Sequence, residues 1–399
     1  MADVDPGENT RSPARLAPDL VIERIDSLEG IAALAPLYAD LGRAMGNTLP
    51  FTLHEWHLVW CENFLNLNRR ISDQPAFHVI RDQAGACVAI FPLVISRRLL
   101  GPRRSLSVNL LGADPAITEI RTPLIVPGRE AEALRALRRG LTDYKDWDWV
   151  QWTGMNDALN EAVASTGSLE PEPTLINYVL DLAPTWEEFR SQLKRNIRES
   201  LRHCYNSLKR DGHSFEFHVA STPAEVAAAL DRFHILHMLR AQATDMAPHP
   251  DRFKSKVSRR FLAAVCERFA DRGAVRVFEL CIGGKAVAAR IGFVVGDSLY
   301  LYYSGYDPSW SQYGVMTTTV AEAIKYAIAQ GLRSVSLSPG TDVSKTRWGP
   351  REVLYHAAFE WRDRLRSRAA RWVYLTARSG TGVPARLLRL LIPAQRNWS

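Results

Sequence analysis

The sequence predicts an α+β fold, with a mixed, mostly antiparallel sheet flanked by helices. Three observations carry this. Apolar runs rich in β-branched and aromatic residues at 274–280, 285–295 and 298–303 are separated by Gly283-Gly284 and Gly296-Asp297, the pattern of strands in hairpin order. After them, Val315, Thr319, Ala323 and Tyr326 recur at helical spacing between Gly314 and Gly331, and 334–338 reads as a further short strand. At 399 residues the chain exceeds one ordinary core. Two successive strand–helix units of similar size predict two domains, at 19–180 and 181–360.

Residues 1–18 are polar and contain proline, and read as a disordered leader. A strand at 20–26 and a helix around 28–45 follow. The helix at 51–63 gathers Trp56, Val59, Trp60 and Phe64 on one side. Runs at 77–81 and 87–97 pair across Asp82-Gln83-Ala84-Gly85. Strands at 106–111, 124–126 and 147–153, with a helix at 130–139, complete the first unit. In the second, 186–209 reads as one long amphipathic helix. Phe189, Leu193, Ile197, Leu201, Cys204 and Leu208 form its stripe, and Asp211-Gly212 ends it. A strand at 215–219 precedes a helix that Thr222-Pro223 opens and that runs to about 241, and another spans 253–269.

Five cysteines, Cys61, Cys87, Cys204, Cys266 and Cys281, stand singly, with no CxxC or Cys/His metal spacing. This favours a reduced, cytoplasmic compartment and no bound metal. No apolar run is long enough to span a bilayer. The net charge of +7 is unevenly placed: residues 361–399 hold nine Arg and one Asp, and the remainder sums to −1. The basic balance therefore gives no argument for nucleic-acid binding by the folded body. Trp361, Leu365, Trp372, Val373 and the Leu387–Ile392 cluster among those arginines suit either an interfacial amphipathic segment at an anionic membrane face or a packed C-terminal helix.

A helix that starts just after a Gly turn offers unpaired N–H groups to an anion, and the strand before it can offer main-chain donors to an adjacent carbonyl. Gly305-Tyr306-Asp307-Pro308, the Gly314 helix start, Gly331, Gly340 and Lys345-Thr346-Arg347-Trp348 resemble the catalytic half of the GNAT acyltransferases, in particular the cellulose-biosynthesis (CelD/BcsL-type) branch, related in architecture to the Fem aminoacyl ligases. The Trp56/Trp60 helix, Phe91-Pro92-Leu93 and Leu111-Gly112 extend the resemblance over roughly 20–360.

The resemblance implies tandem GNAT-like domains and an acyl-CoA donor, acetyl-CoA above all. The donor would be held by Ser304, Gly305, Gln312, Tyr313, Gly314 and Val315, with Ser311 and Met316 departing from the family's Gln/Arg-x-x-Gly-x-Gly/Ala pattern. Lys345, Arg347 and Trp348 would hold a phosphate or carboxylate and stack a ring. Where many relatives carry an Asp on the preceding strand, this chain has Ser336.

His237 and Arg240 lie one helical turn apart, and His237 is a candidate base for the attacking group. Tyr306 and Asp307 are candidates to orient the acceptor, with Tyr306 also able to protonate the leaving thiolate; Asp307-Pro308 suits a plain turn equally. The acceptor implied is a sugar or polysaccharide precursor. Two other readings stay open: a Fem-type transferase using aminoacyl-tRNA, whose backbone could meet Arg195, Arg198 and Arg202, and a non-catalytic scaffold for a polysaccharide synthase.

Overall fold

The computed structural model describes residues 20–65, 71–100, 103–113, 116–142, 147–165, 169–243 and 249–379. The expected leader and the last twenty residues of the basic tail lie outside them. The strands are β1 Val21–Ile25, β2 Ile71–Arg81, β3 Cys87–Leu100, β4 Arg103–Leu110, β5 Leu124–Ile125, β6 Trp149–Met155, β7 Leu169–Asp181, β8 Phe215–Ala220, β9 Val275–Ile282, β10 Lys285–Val295, β11 Ser298–Tyr306, β12 Ser334–Pro339 and β13 Arg351–Trp361. The helices are α1 Leu28–Ala32, α2 Ala35–Met45, α3 His54–Phe64, α4 Glu130–Leu141, α5 Asp157–Ala164, α6 Trp186–Gln192, α7 Arg195–Arg210, α8 Pro223–Gln242, α9 Lys256–Asp271, α10 Val315–Ala329, α11 Val343–Thr346 and α12 Leu365–Ser379.

The architecture is α+β. The strands form one mixed, mostly antiparallel sheet in the order β1-β2-β3-β4-β6-β13-β7-β12-β11-β10-β9-β8, with β5 beside β3. The two halves of the chain exchange strands at its centre. β13, from the second half, pairs with β6 of the first, and β7, from the end of the first, pairs with β12 of the second. β7 and β13 also pair with each other from Leu169↔Glu360 to Val179↔Arg351. Glu360 pins this seam: its carboxylate takes a two-pronged bond from Arg138 (3.0 Å each) and another from Trp152 Nε1 (2.9 Å).

The largest core also crosses the halves. Trp56 of α3 is fully buried and meets Phe51, Phe261, Phe293 and Tyr302 edge to face. Such pairs contribute about 0.5–1.5 kcal/mol each beyond area burial. Packing on the second half, rather than propensity, therefore holds this helix. A separate apolar cluster joins α7 and α10 through Ile197, Leu201, Ala323 and Ile324 to Leu299, Leu301 and Leu337 of the sheet.

Two helix expectations need correction. The helix at 28–45 is two helices, broken at Ala33 and Leu34. The helix at 186–209 is also two: Leu193 and Lys194 turn extended (ψ 145° and 150°). Leu193 stays buried at this break, so the apolar stripe continues through a bend that periodicity alone does not show. Arg195, Arg198 and Arg202 are solvent-exposed, and Arg195 pairs with Glu199 at 2.6 Å. The described part of the tail, α12, docks on the sheet end. Ala370 and Tyr374 pack with Trp149 and Phe359, and Arg366 and Ser367 bond Asp148 at 2.9 and 3.1 Å. Among the described residues no helix is long and apolar enough to cross a membrane.

Candidate active site

β11 follows β10 along its length, but its parallel ladder with β12 covers Ser298–Tyr300 against Ser334–Ser336 and stops there. Both strands bulge at the point of divergence. From Arg290↔Ser304 to Gly292↔Leu301, β11 spends three steps against two, which places Tyr302-Tyr303 opposite Ile291. From Ser336↔Val179 to Pro339↔Asn177, β12 likewise carries an extra residue, and Ser338 adopts a left-handed φ of 66°. Bulges bend and twist strands apart, and strained backbone collects at sites of function. The wedge between them opens a cavity of about 510 Å³.

One end of the cavity is the start of α10. Gly314 sits at φ 61°, and a Cβ there would lie 2.6 Å from Cys204 Sγ, so only glycine fits the approach of α7. The first intrahelical bond runs from Thr317 N–H to Gly314 O, so the amides of Val315 and Met316 precede it and face outward from the helix start. Arg347 lines this end and donates to Thr317 Oγ1, while its Nε is buried without a partner. A left-handed Gly, unused first-turn amides and an under-satisfied guanidinium together suit an anion such as a phosphate.

The other end is built by both halves. The loop carrying Ala116–Ile120 is gripped by the β11 tyrosines: Tyr302 OH bonds Ile117 O, Tyr303 OH bonds Ala116 O (2.5 Å), and Tyr300 OH donates to Glu119 Oε2 at 2.7 Å. Trp56 Nε1 adds a bond to Thr118 Oγ1 at 3.1 Å. Glu119 lines the cavity. Burial pushes its carboxyl up to about 7, against the opposing pull of the Tyr300 bond and of Lys345, Arg290 and Arg252. Arg240 lines the same cavity, donating to Ser304 Oγ at 2.8 Å with its guanidinium 5.6 Å from the Tyr306 ring centre. Lys345 bonds Pro339 O and lies 3.6 Å from Asp342. Burial lowers the pKa of Arg240 and Lys345, and lowers Arg290 to about 10.

Of the residues singled out from sequence, Ser304, Tyr306, Gly314, Val315, Arg240, Lys345, Arg347 and Trp348 all line the cavity. Trp348 is 4% exposed and packs with Leu337 and Val320, so its ring belongs largely to the core. Five others sit elsewhere. His237 is fully buried behind β11. Its Nδ1 donates to Ser304 O at 2.8 Å, and its Nε2 accepts from Arg252 N–H at 3.3 Å. With both nitrogens committed and burial lowering its pKa, it is a brace for β11 rather than an accessible base. Asp307 caps the turn that follows β11, accepting from Ser309 N and Oγ. Gln312 is exposed, and Tyr313 is buried with its hydroxyl on Asp211 (3.2 Å). Gly305 serves the packing of α8: a Cβ there would meet His237 N at 2.2 Å. Ser336 is buried and bonds Asn177 of β7 at 3.0 Å.

Sequence reasoning missed Glu119, Arg252 and Arg290. Glu119 and Arg252 lie in loops, and Arg290 interrupts an apolar strand, where one charge reads as an outward-facing residue. That interruption was the one available signal.

Residues 195–348 match the acetyltransferase (GNAT) domain family, a span that takes in β11, α10, β12 and the basic loop. Among solved structures, FemX shares the fold over 84% of this chain and 96% of its own, with a TM-score of 0.52 at 9% identity. A conserved protein of unknown function from Bacteroides thetaiotaomicron does so over 86% and 100%, with a TM-score of 0.51 at 12% identity. No curated protein matches the chain.

Proposed function

We propose that the protein transfers an acyl group directly from a CoA thioester to an amine or hydroxyl. The wedge between β11 and β12, which opens onto the first turn of α10, carries this reading. The amides of Val315 and Met316 and the Arg347 guanidinium hold the donor's phosphates. The bound thioester supplies an activated acyl carbon. Glu119, whose Oε2 is fixed by Tyr300, takes the proton of the attacking group as the new bond to the acyl carbon forms. Tyr306 returns a proton to the sulfur side as the thioester bond breaks.

The likeness of the Trp56/Trp60 helix and of the Lys345-Thr346-Arg347-Trp348 run to the cellulose-biosynthesis branch supports a sugar or polysaccharide precursor as acceptor, and acetyl as the acyl group. Calorimetry with acetyl-CoA tests the donor: one-to-one binding is expected, and its absence together with binding of aminoacyl-tRNA would move the assignment to a Fem-type transferase. The shared fold with FemX is the observation that favours that second reading.

A further inference from the structure

We propose that the acceptor carries an anionic group, a carboxylate or a phosphate, seated among Arg240, Arg290 and Lys345 beside Glu119; this rests on the acyl-transfer reading above. Among the described residues the cavity is lined by five cationic side chains, Arg240, Arg252, Arg290, Lys345 and Arg347, against two carboxyls, Glu119 and Asp342. Asp342 is engaged by Lys345 at 3.6 Å and by Ser344, Glu119 is held by Tyr300, and the Nε of Arg290 is buried without a hydrogen-bond partner. Burial presses Arg240, Arg290 and Lys345 toward their uncharged forms, and Arg240 and Lys345 are both set close enough to Arg290 for like charges to repel. Burial, helped by Arg240, His237, Arg252 and Lys345, drives His249 down to about 3 and keeps it neutral.

Partly buried cations with too little counter-charge are costly unless a ligand supplies it. The donor's phosphates do not, because they belong to the Gly314 end. There Arg347 bonds Thr317 in the first turn of α10, whereas Arg290 bonds Leu301 O of β11 at 3.2 Å. A second anion, next to the proton-accepting carboxylate, fits the other end.

Calorimetry on the intact protein, with inorganic phosphate and with succinate as probes, tests this with and without saturating coenzyme A. One-to-one binding of at least one probe is expected when coenzyme A saturates the donor end. It should weaken at least tenfold in Arg290→Gln and in Lys345→Gln and stay within threefold of wild type in Arg290→Lys. Tighter phosphate binding points to a phosphorylated acceptor, and tighter succinate binding to a carboxylated one. The inference is overturned if neither probe binds, if both Gln variants bind as wild type does, or if no probe stays bound at saturating coenzyme A. Loss of coenzyme A binding with probe binding intact would instead count against the donor assignment alone.

Discussion

Tyr300 of β11 donates its hydroxyl to Glu119, 181 residues earlier in the chain and in the other half of the molecule, at 2.7 Å. The bond fixes one carboxylate oxygen and favours the ionised form, while burial opposes ionisation more strongly and sets the titration at about 7.

With Glu119 as the base, kcat/KM should rise with pH through about 7 and then level. Glu119→Gln should lower kcat/KM by about 10²–10⁴-fold and abolish that limb. Tyr300→Phe removes a bond that lowers this pKa, so the limb should move to higher pH. The same carboxyl has a folded pKa above its unfolded value of 4.5, so its ionisation disfavours the fold increasingly as pH passes from 4.5 through 7. Glu119→Gln should therefore raise Tm more at pH 8 than at pH 5. A flat pH profile in the wild type would remove Glu119 from the reaction.

Arg347→Ala should weaken coenzyme A binding about tenfold or more, the worth of one charged hydrogen bond at about 1.5–3 kcal/mol. Calorimetry reads this directly. Unchanged affinity would place the phosphates away from Thr317 and Gly314.

His237→Ala should cost about 1–3 kcal/mol of stability by stranding Ser304 O and Arg252 N–H. It should leave the position of the acid limb where it was. Because the folded pKa of His237 lies below 6.5, its contribution is present above that value and fades as pH falls. Urea unfolding at pH 7.5 and 5 should show the variant losing less stability on acidification than the wild type.

Gly305→Ala would drive a methyl into the backbone of α8, 2.2 Å from His237 N and 2.5 Å from Leu236 C. Neither contact is a flexible side-chain tip, so α8 must shift and carry Arg240 with it. A loss of about 1–3 kcal/mol is expected from overpacking, read as a fall in Tm. Acceptor KM should rise as well.

The hairpin β9–β11, helix α10 and β12 were legible because glycine breaks and apolar runs are local signals. The cavity end at α10 was legible for the same reason: Gly314, Val315 and Arg347 lie within one stretch of the chain and all line it. The strands at the middle of the sheet, β7 and β13, were not. β7 carries Pro171 and Pro173, which argue against a central strand, and β13 holds Tyr355-His356-Ala357-Ala358, which has no clean alternation. Each finds its place through a partner far away in sequence. Glu119 was invisible for a related reason. Its chemistry comes from tyrosines and cations that only the assembled sheet brings to it.

The traded strands β7 and β13 make the molecule indivisible. Severing the backbone in the turn between β7 and α6 would leave each fragment with an unfilled slot cut to the other's ribbon. Either fragment produced by itself should stick to its own kind through the bare rim, while co-production should restore a working heterodimer by complementation. A lineage carrying this arrangement could not shed or shuffle one half as an independent module.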